Sequence, residues 1–179
     1  ERVFADTESA VELLWNSPSA MERFEETGVV PHAVATALGL VGPAARASGL
    51  DRDARRDHPG GIWRFHQVPV SLAESGDVFA RAHVRWLEIQ RSVAFVRAQL
   101  ESLPAGPARA EPGISAPGHL AATLVEGWRG ELCHVALTDA AGRFERYKIV
   151  DPSFHNWSAL AWALRGGQIS DFPLCNKSF

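Results

Sequence analysis

Between Asp77 and Leu103 the apolar residues Phe79, Ala82, Trp86, Ile89, Val93, Val96, Leu100 and Leu103 recur at alternating intervals of three and four. That spacing holds them on one side of a helix with 3.6 residues per turn, so the segment is predicted to be one long helix. Arg81, Arg85, Glu88, Arg91 and Arg97 fall off this seam. A stripe of that length must be covered, and its simplest cover is other helices. The segment that follows, "PAGPARAEPGISAPG", carries four prolines and stops the helix. Residues 104–118 are therefore expected to form a flexible linker or long surface loop.

Shorter helices are predicted before the seam. "SAVELLWNSPSAMERFEETG" reads as two, with Ser17 as N-cap, Pro18 at the first helical position and Gly28 at the stop. "PHAVATALG" repeats the pattern with Pro31 opening and Gly39 closing. "GPAARASGLDRDARRDHPGG", rich in Gly, Pro and alternating charge, reads as an extended loop, with "DRDARRDHP" as a solvated, ion-paired run. After the linker, "LAATLVEGW" is ambiguous between helix and strand. "GELCHVALTD-AAG-RFERYKIVD" reads as a β-hairpin over about 130–150, two alternating runs around a short turn. "NWSALAWALRGG" reads as a helix capped by Asn156 and ended by Gly166, and another helix begins near Ser170. The expected fold is α+β and mainly helical, an antiparallel helix bundle with a small antiparallel sheet near the C-terminus. Its 179 residues suit a single domain over 1–179.

Several function classes fall away. A net charge of −3 without a basic block argues against nucleic-acid binding. No run approaches the roughly 20 apolar residues of a membrane-spanning helix. "ERVFADTE" lacks the regions of a signal peptide and begins without methionine, so the chain is expected to be a fragment. Two cysteines, Cys133 and Cys175, make no disulfide framework and point to a reducing compartment, the cytoplasm. The seven histidines form no zinc-binding spacing, and there is no nucleophile elbow, phosphate loop or dinucleotide fingerprint.

"EGWRGELCH", Glu126 to His134, is the densest run of chemistry-bearing residues. Cys133 and His134 are neighbours on a predicted strand, so they point to opposite faces and cannot act as a thiol–imidazole pair. They read as a core thiol and a half-buried imidazole. Arg129 admits two readings. It is a surface or ion-paired residue, or a guanidinium held at the mouth of a hairpin, offering fixed donors to an anion.

Those residues also carry a resemblance. The chain resembles the C-terminal part of a large subunit of the nickel–iron hydrogenase superfamily. Its likeness is greatest to the formate hydrogenlyase and hydrogenase-4 branch, and it extends to the hydrogenase-like (49-kDa-type) subunit of respiratory complex I. "VGPAARASGLDRDARRDHP" places Ser48, Gly49, Asp53, Arg55 and Pro59 on recurrent positions. "SGDVFARAHVRWLEIQRS" does the same for Gly76, Asp77, Arg81, Arg85, Glu88 and Ser92. "EGWRGELCH" is similar to the hydrogenase "EAPRGALGH" and the complex I "EAPKGEFG", with Gly127 and Trp128 replacing Ala-Pro. "KIVDPSFHNWSAL" is similar to an "R-D-P-S-F-x-N-W" element.

The resemblance implies a catalytic position for Arg129, over the nickel–iron centre in the hydrogenases, and a supporting one for His134. It implies electron transfer coupled to hydrogen or quinone chemistry (NADH dehydrogenase, formate hydrogenlyase) in a membrane-associated complex. Iron–sulfur clusters would sit in a small partner subunit, and peripheral attachment to the membrane would come through membrane subunits. The superfamily's metal ligands are cysteines of two CxxC motifs. "CNKS" is not one, Cys175 reads as a helix-packing residue, and the second motif aligns at or beyond Phe179. No metal and no bound cofactor are therefore expected in this chain, which is not catalytically complete by itself. Two rivals stand beside this reading: a non-catalytic scaffold or assembly subunit that kept the fold, and a stand-alone helical domain with an unrelated pocket.

Overall fold

The structure is a computed structural model that describes residues 2–107 and 109–179; Ala108, inside the expected linker, lies outside the described residues. Helices α1 (Arg2–Trp15) and α2 (Pro18–Phe24) come first, then α3 (His32–Leu38), α4 (Gly42–Ala47) and α5 (Ala54–Asp57). The long α6 (Val78–Glu101) leads to strands β1 (Leu120–Gly127), β2 (Gly130–Thr138) and β3 (Phe144–Val150). Helices α7 (Ser153–Ala163) and α8 (Phe172–Ser178) close the chain. The architecture is mainly helical with one antiparallel sheet in the order β1-β2-β3 near the C-terminus. The predicted hairpin is β2–β3, and "LAATLVEG" resolves as the third strand. Residues 102–119 carry no helix or strand among the described residues.

Three expectations change. "GPAARASGLDRDARRDHPGG" is not an extended loop, because it contains α4 and α5. Pro43 occupies the first turn of α4, where its missing N–H has no partner to lose, and the alanines favour helix. All six α4 residues are buried. Asp53 caps α5, its carboxylate accepting from the Arg55 amide at 2.9 Å. Ser17 and Pro18 do open α2, but no side-chain bond from Ser17 caps it, and the helix ends at Glu25, ahead of Gly28. Asn156 is no cap: α7 begins at Ser153 and Asn156 lies inside it, 2% exposed.

The largest revision concerns the face of α6. Its buried residues are Val78, Ala80, Arg81, Val84 and Trp86, of which only Trp86 belongs to the apolar seam. Ala80 and Val84 pack with Ala47 of α4. The seam's first half meets α1, where Phe4 stacks on Trp86 at 5.8 Å and Trp15 lies edge-on to Trp86 and Phe79, each at 6.2 Å. Its second half is uncovered, with Val96, Leu100 and Leu103 at 51%, 65% and 69% exposure. Asp77 fixes the start of the helix by accepting from the amides of Ala80 and Glu26. The main core gathers Val30, Ala35, Leu40, Ala45, Val78, Leu160 and Cys175 from α3, α4, α6, α7 and α8.

Candidate functional site

Register determines where Arg129 stands. Gly127 pairs with Gly130, so Trp128 and Arg129 form a two-residue turn between β1 and β2. The turn is pressed onto the start of α4. Gly130 approaches the Gly42 backbone so closely that a β-carbon on either glycine would overlap the other's main chain. Gly42 also has φ +65°, which side chains adopt at a penalty. Asn156 pins the same junction from α7: its Oδ1 accepts from the Val41 amide at 3.1 Å, and its Nδ2 donates to the carbonyls of Val41 and Arg129 at 3.3 and 3.2 Å. Replacing Asn156 with alanine leaves these buried backbone groups without partners. We expect it to lower folding stability by about 1–3 kcal/mol in equilibrium denaturation. A loss below about 0.5 kcal/mol would show that water replaces the amide.

Arg129 opens onto a cavity of about 300 Å³, also lined by Ser153, Asn156, Trp157, Lys177 and Phe179. No carboxylate lies within ion-pair distance of its guanidinium among the described residues. The surroundings are cationic. Arg85 donates to the carbonyls of Arg81, Ser178 and Phe179 at 3.1, 2.7 and 3.2 Å. Burial, followed by the charge of Arg129, pushes Arg85 down to about 10. Arg81 donates to Gly28 O, Gly76 O and Ser178 Oγ, its guanidinium lies 4.3 Å from the Phe179 ring centre, and burial takes it to about 10 as well. Both stay charged at neutral pH. Hydrogen bonds from Ser153, with a smaller contribution from Arg129, hold Asp151 below the usual carboxylate range. An unpaired guanidinium carried on an anchored turn at the rim of such a cavity can orient an anionic or electron-rich group and stabilise negative charge that develops on it.

His134 is not among the residues lining this cavity. It stands on β2 opposite Thr123 and Ile149, its Nδ1 hydrogen-bonded to the Tyr147 hydroxyl at 2.7 Å. Cys133, half-buried, pairs with Leu124 and Val150, so the two neighbours do alternate faces. Cys175 is fully buried against Gly28 and Arg81, and burial pushes its thiol up. A nickel–iron centre requires several soft thiolates converging on one point. Neither thiol lines the Arg129 cavity, and no cluster of His, Cys, Asp or Glu suited to a metal forms among the described residues. This chain's donors do not fit that group, and no step is assigned to it.

Behind the turn lies a buried ionic network that sequence reasoning did not assemble. Arg46 of α4, 0% exposed, donates Nη1 to Glu126 Oε1 and to the Arg52 carbonyl, both at 2.9 Å. Its Nη2 lies 2.8 Å from Glu88 Oε1, close but out of line, so the pair is ionic without a formed hydrogen bond. Arg55 grips Asp53, which stays below its ordinary value despite burial. The "DRDARRDHP" run is thus divided: Arg56 pairs with Asp51 and Asp57 at the surface, whereas Asp53 and Arg55 point inward. The available signal was Arg46 itself, one cation within an otherwise apolar "GPAARA". Asn156 stood in the "DPSFHNW" element of the resemblance but was read only as a cap, and Lys177 left no signal.

Comparison with known proteins places this arrangement. The family model described as "Respiratory-chain NADH dehydrogenase, 49 Kd subunit" matches residues 2–113 and 108–179. The chain is 36% identical over 168 residues to the carbon monoxide-induced hydrogenase of Rhodospirillum rubrum, covering 94% of this chain and 46% of that protein. It is 34% identical to NADH-quinone oxidoreductase subunit 4 of Thermus thermophilus, covering 89% and 46%, and 30% identical to formate hydrogenlyase subunit 5 of Escherichia coli, covering 94% and 30%. The chain thus spans less than half the length of these relatives. Among solved structures, a chain of an archaeal membrane-bound sulfane sulfur reductase superposes with a TM-score of 0.88 at 22% identity, covering 99% of this chain and 50% of that one. That likeness concerns the fold. No helix among the described residues is long and apolar enough to cross a membrane.

Proposed function

Because the chain belongs to the family of the 49 kDa subunit of respiratory-chain NADH dehydrogenase, we propose that it is part of the large subunit of a hydrogenase-like or NADH:quinone oxidoreductase-like complex, and that it supplies one wall of that subunit's reaction site. The observation that carries this reading is the unpaired guanidinium of Arg129 over a cavity of about 300 Å³, on a turn whose backbone is held by a double-glycine contact and by Asn156. The parent reaction is electron transfer coupled to hydrogen or quinone chemistry, and Arg129 orients and stabilises the group that gains negative charge. His134, tied to Tyr147, supports the sheet that presents the turn.

The whole chain acts as one domain. The exposed end of the α6 seam is covered in the assembly, completing an antiparallel helix bundle. An iron–sulfur small subunit and membrane subunits are the partners, and they attach this subunit peripherally on the cytoplasmic side.

The test is Arg129→Lys in the full complex. The charge remains and the planar fork is lost, so turnover should fall at least about tenfold, ~1.4 kcal/mol of transition-state stabilisation, with assembly intact. Unchanged turnover removes Arg129 from the site. A second reading is a scaffold that retains the fold without the reaction. Metal analysis of the complex matured in its host separates the two hydrogen-related cases: nickel supports a hydrogenase, and its absence supports the quinone-type or scaffold branch.

A further inference from the structure

The ionic network behind the turn is not electrically balanced. Three carboxylates, Asp53, Glu88 and Glu126, meet two guanidiniums, Arg46 and Arg55, with side-chain exposures between 0% and 15%. A surplus charge at such burial is unfavourable, and uptake of one proton removes it. The partners decide which carboxylate takes the proton. Asp53 accepts from the Arg55 amide, Nε and Nη2, three donors that favour its ionised form. Glu126, on β1, is held only by Arg46 Nη1 and the Ala54 amide, at 2.9 and 3.0 Å, which leaves lone pairs free on both oxygens. Charged groups surround it from several elements. Arg46 comes from α4, Asp53 and Arg55 from α5 and its cap, Glu88 and, beyond ion-pair distance, Arg85 from α6, and Glu131, paired with Arg52, from β2, while His58 lines the neighbouring cleft. Glu126 and Glu88 also line a second cavity, of about 340 Å³, with Arg55, Ser92, Gly127 and Trp128. Trp128, which precedes Arg129 in the turn, has its ring 5.7 Å from the Arg85 guanidinium.

We propose that Glu126 is a proton-holding group, coupled to Glu88 through Arg46, that takes up and returns one proton through this second cavity. An O–H bond forms on a Glu126 oxygen with a proton taken from solvent at the cavity mouth. The same bond breaks when the proton returns to solvent through that cavity. Burial raises Glu126 above the usual carboxylate range, in keeping with this role.

The assignment stands on the network alone and does not depend on the function proposed above. Infrared titration of the full complex tests it. A protonated-carboxyl C=O band should lose intensity as pH rises, vanish in Glu126→Gln and persist at a shifted frequency in Glu126→Asp. It should titrate at lower pH in Glu88→Gln, where the paired charges balance without the proton. A band unchanged in Glu126→Gln, or a midpoint unmoved in Glu88→Gln, overturns the assignment.

Discussion

Arg46→Leu should cost about 3–5 kcal/mol of folding stability, a large share of what a domain of this size has to lose. The arginine is wholly buried and joins Glu88, Asp53 and Glu126 across three elements. Leucine restores volume but leaves those carboxylates facing one another with only Arg55 between them. The pH dependence distinguishes this cause from simple loss of packing. Without Arg46, whose charge opposes the effect of burial, the folded-state value of Glu126 rises further above that of the unfolded chain. A raised carboxyl contributes stability that is fully present below its unfolded value and lost as pH rises through its folded value. The deficit should therefore be largest at neutral pH and shrink toward the ordinary carboxylate range near pH 4. Urea denaturation at several pH values measures it, and a deficit independent of pH would show that the charges are not responsible.

Gly42→Ala is the second large effect, for a steric reason. A left-handed backbone costs a residue with a side chain about 1–2 kcal/mol, and forcing a methyl into the Gly130 backbone adds roughly 1–3 kcal/mol. Gly39→Ala is the internal control. Gly39 has nearly the same φ, +68° against +65°, but nothing lies within 4 Å of its would-be β-carbon, so only the backbone part should appear. Equal losses in the two variants would mean that the Gly42–Gly130 approach carries no strain. In the full complex Gly42→Ala should also reduce turnover as Arg129→Lys does, because the turn that bears Arg129 must lift from α4. Gly39→Ala should leave turnover intact.

Much of the secondary structure was legible because it rests on local rules. Pro31 and Gly39 bracket α3, the Phe79–Leu103 period marks α6, and the alternation around "AAG" marks β2–β3. Glycine, proline and charge misled at "GPAARASGLDRD", where Pro43 starts a buried helix and Asp53 caps the next. Arg129 was legible through its glycine neighbour and the resemblance. Asn156 read as a cap because local preference alone supports that role. Its use as a clamp depends on Val41, 115 positions away.

The α6 seam marks the boundary between the two sources of information. Sequence alone determined that the segment is a helix with an apolar stripe, since periodicity is a property of neighbours along the chain. Only the tertiary structure decided that the helix buries Arg81 with Val78, Ala80 and Val84 and leaves the end of the stripe exposed, because that choice depends on groups far away in sequence. Carbonyls of Gly28, Gly76 and Ser178 receive Arg81 and Arg85, and Arg46 receives Glu88. A charge is buried only where such partners already wait. In the same way, the chain alone specified an arginine in a two-residue turn. Gly42, Gly130 and Asn156, brought together by folding, anchored that turn at the edge of a cavity.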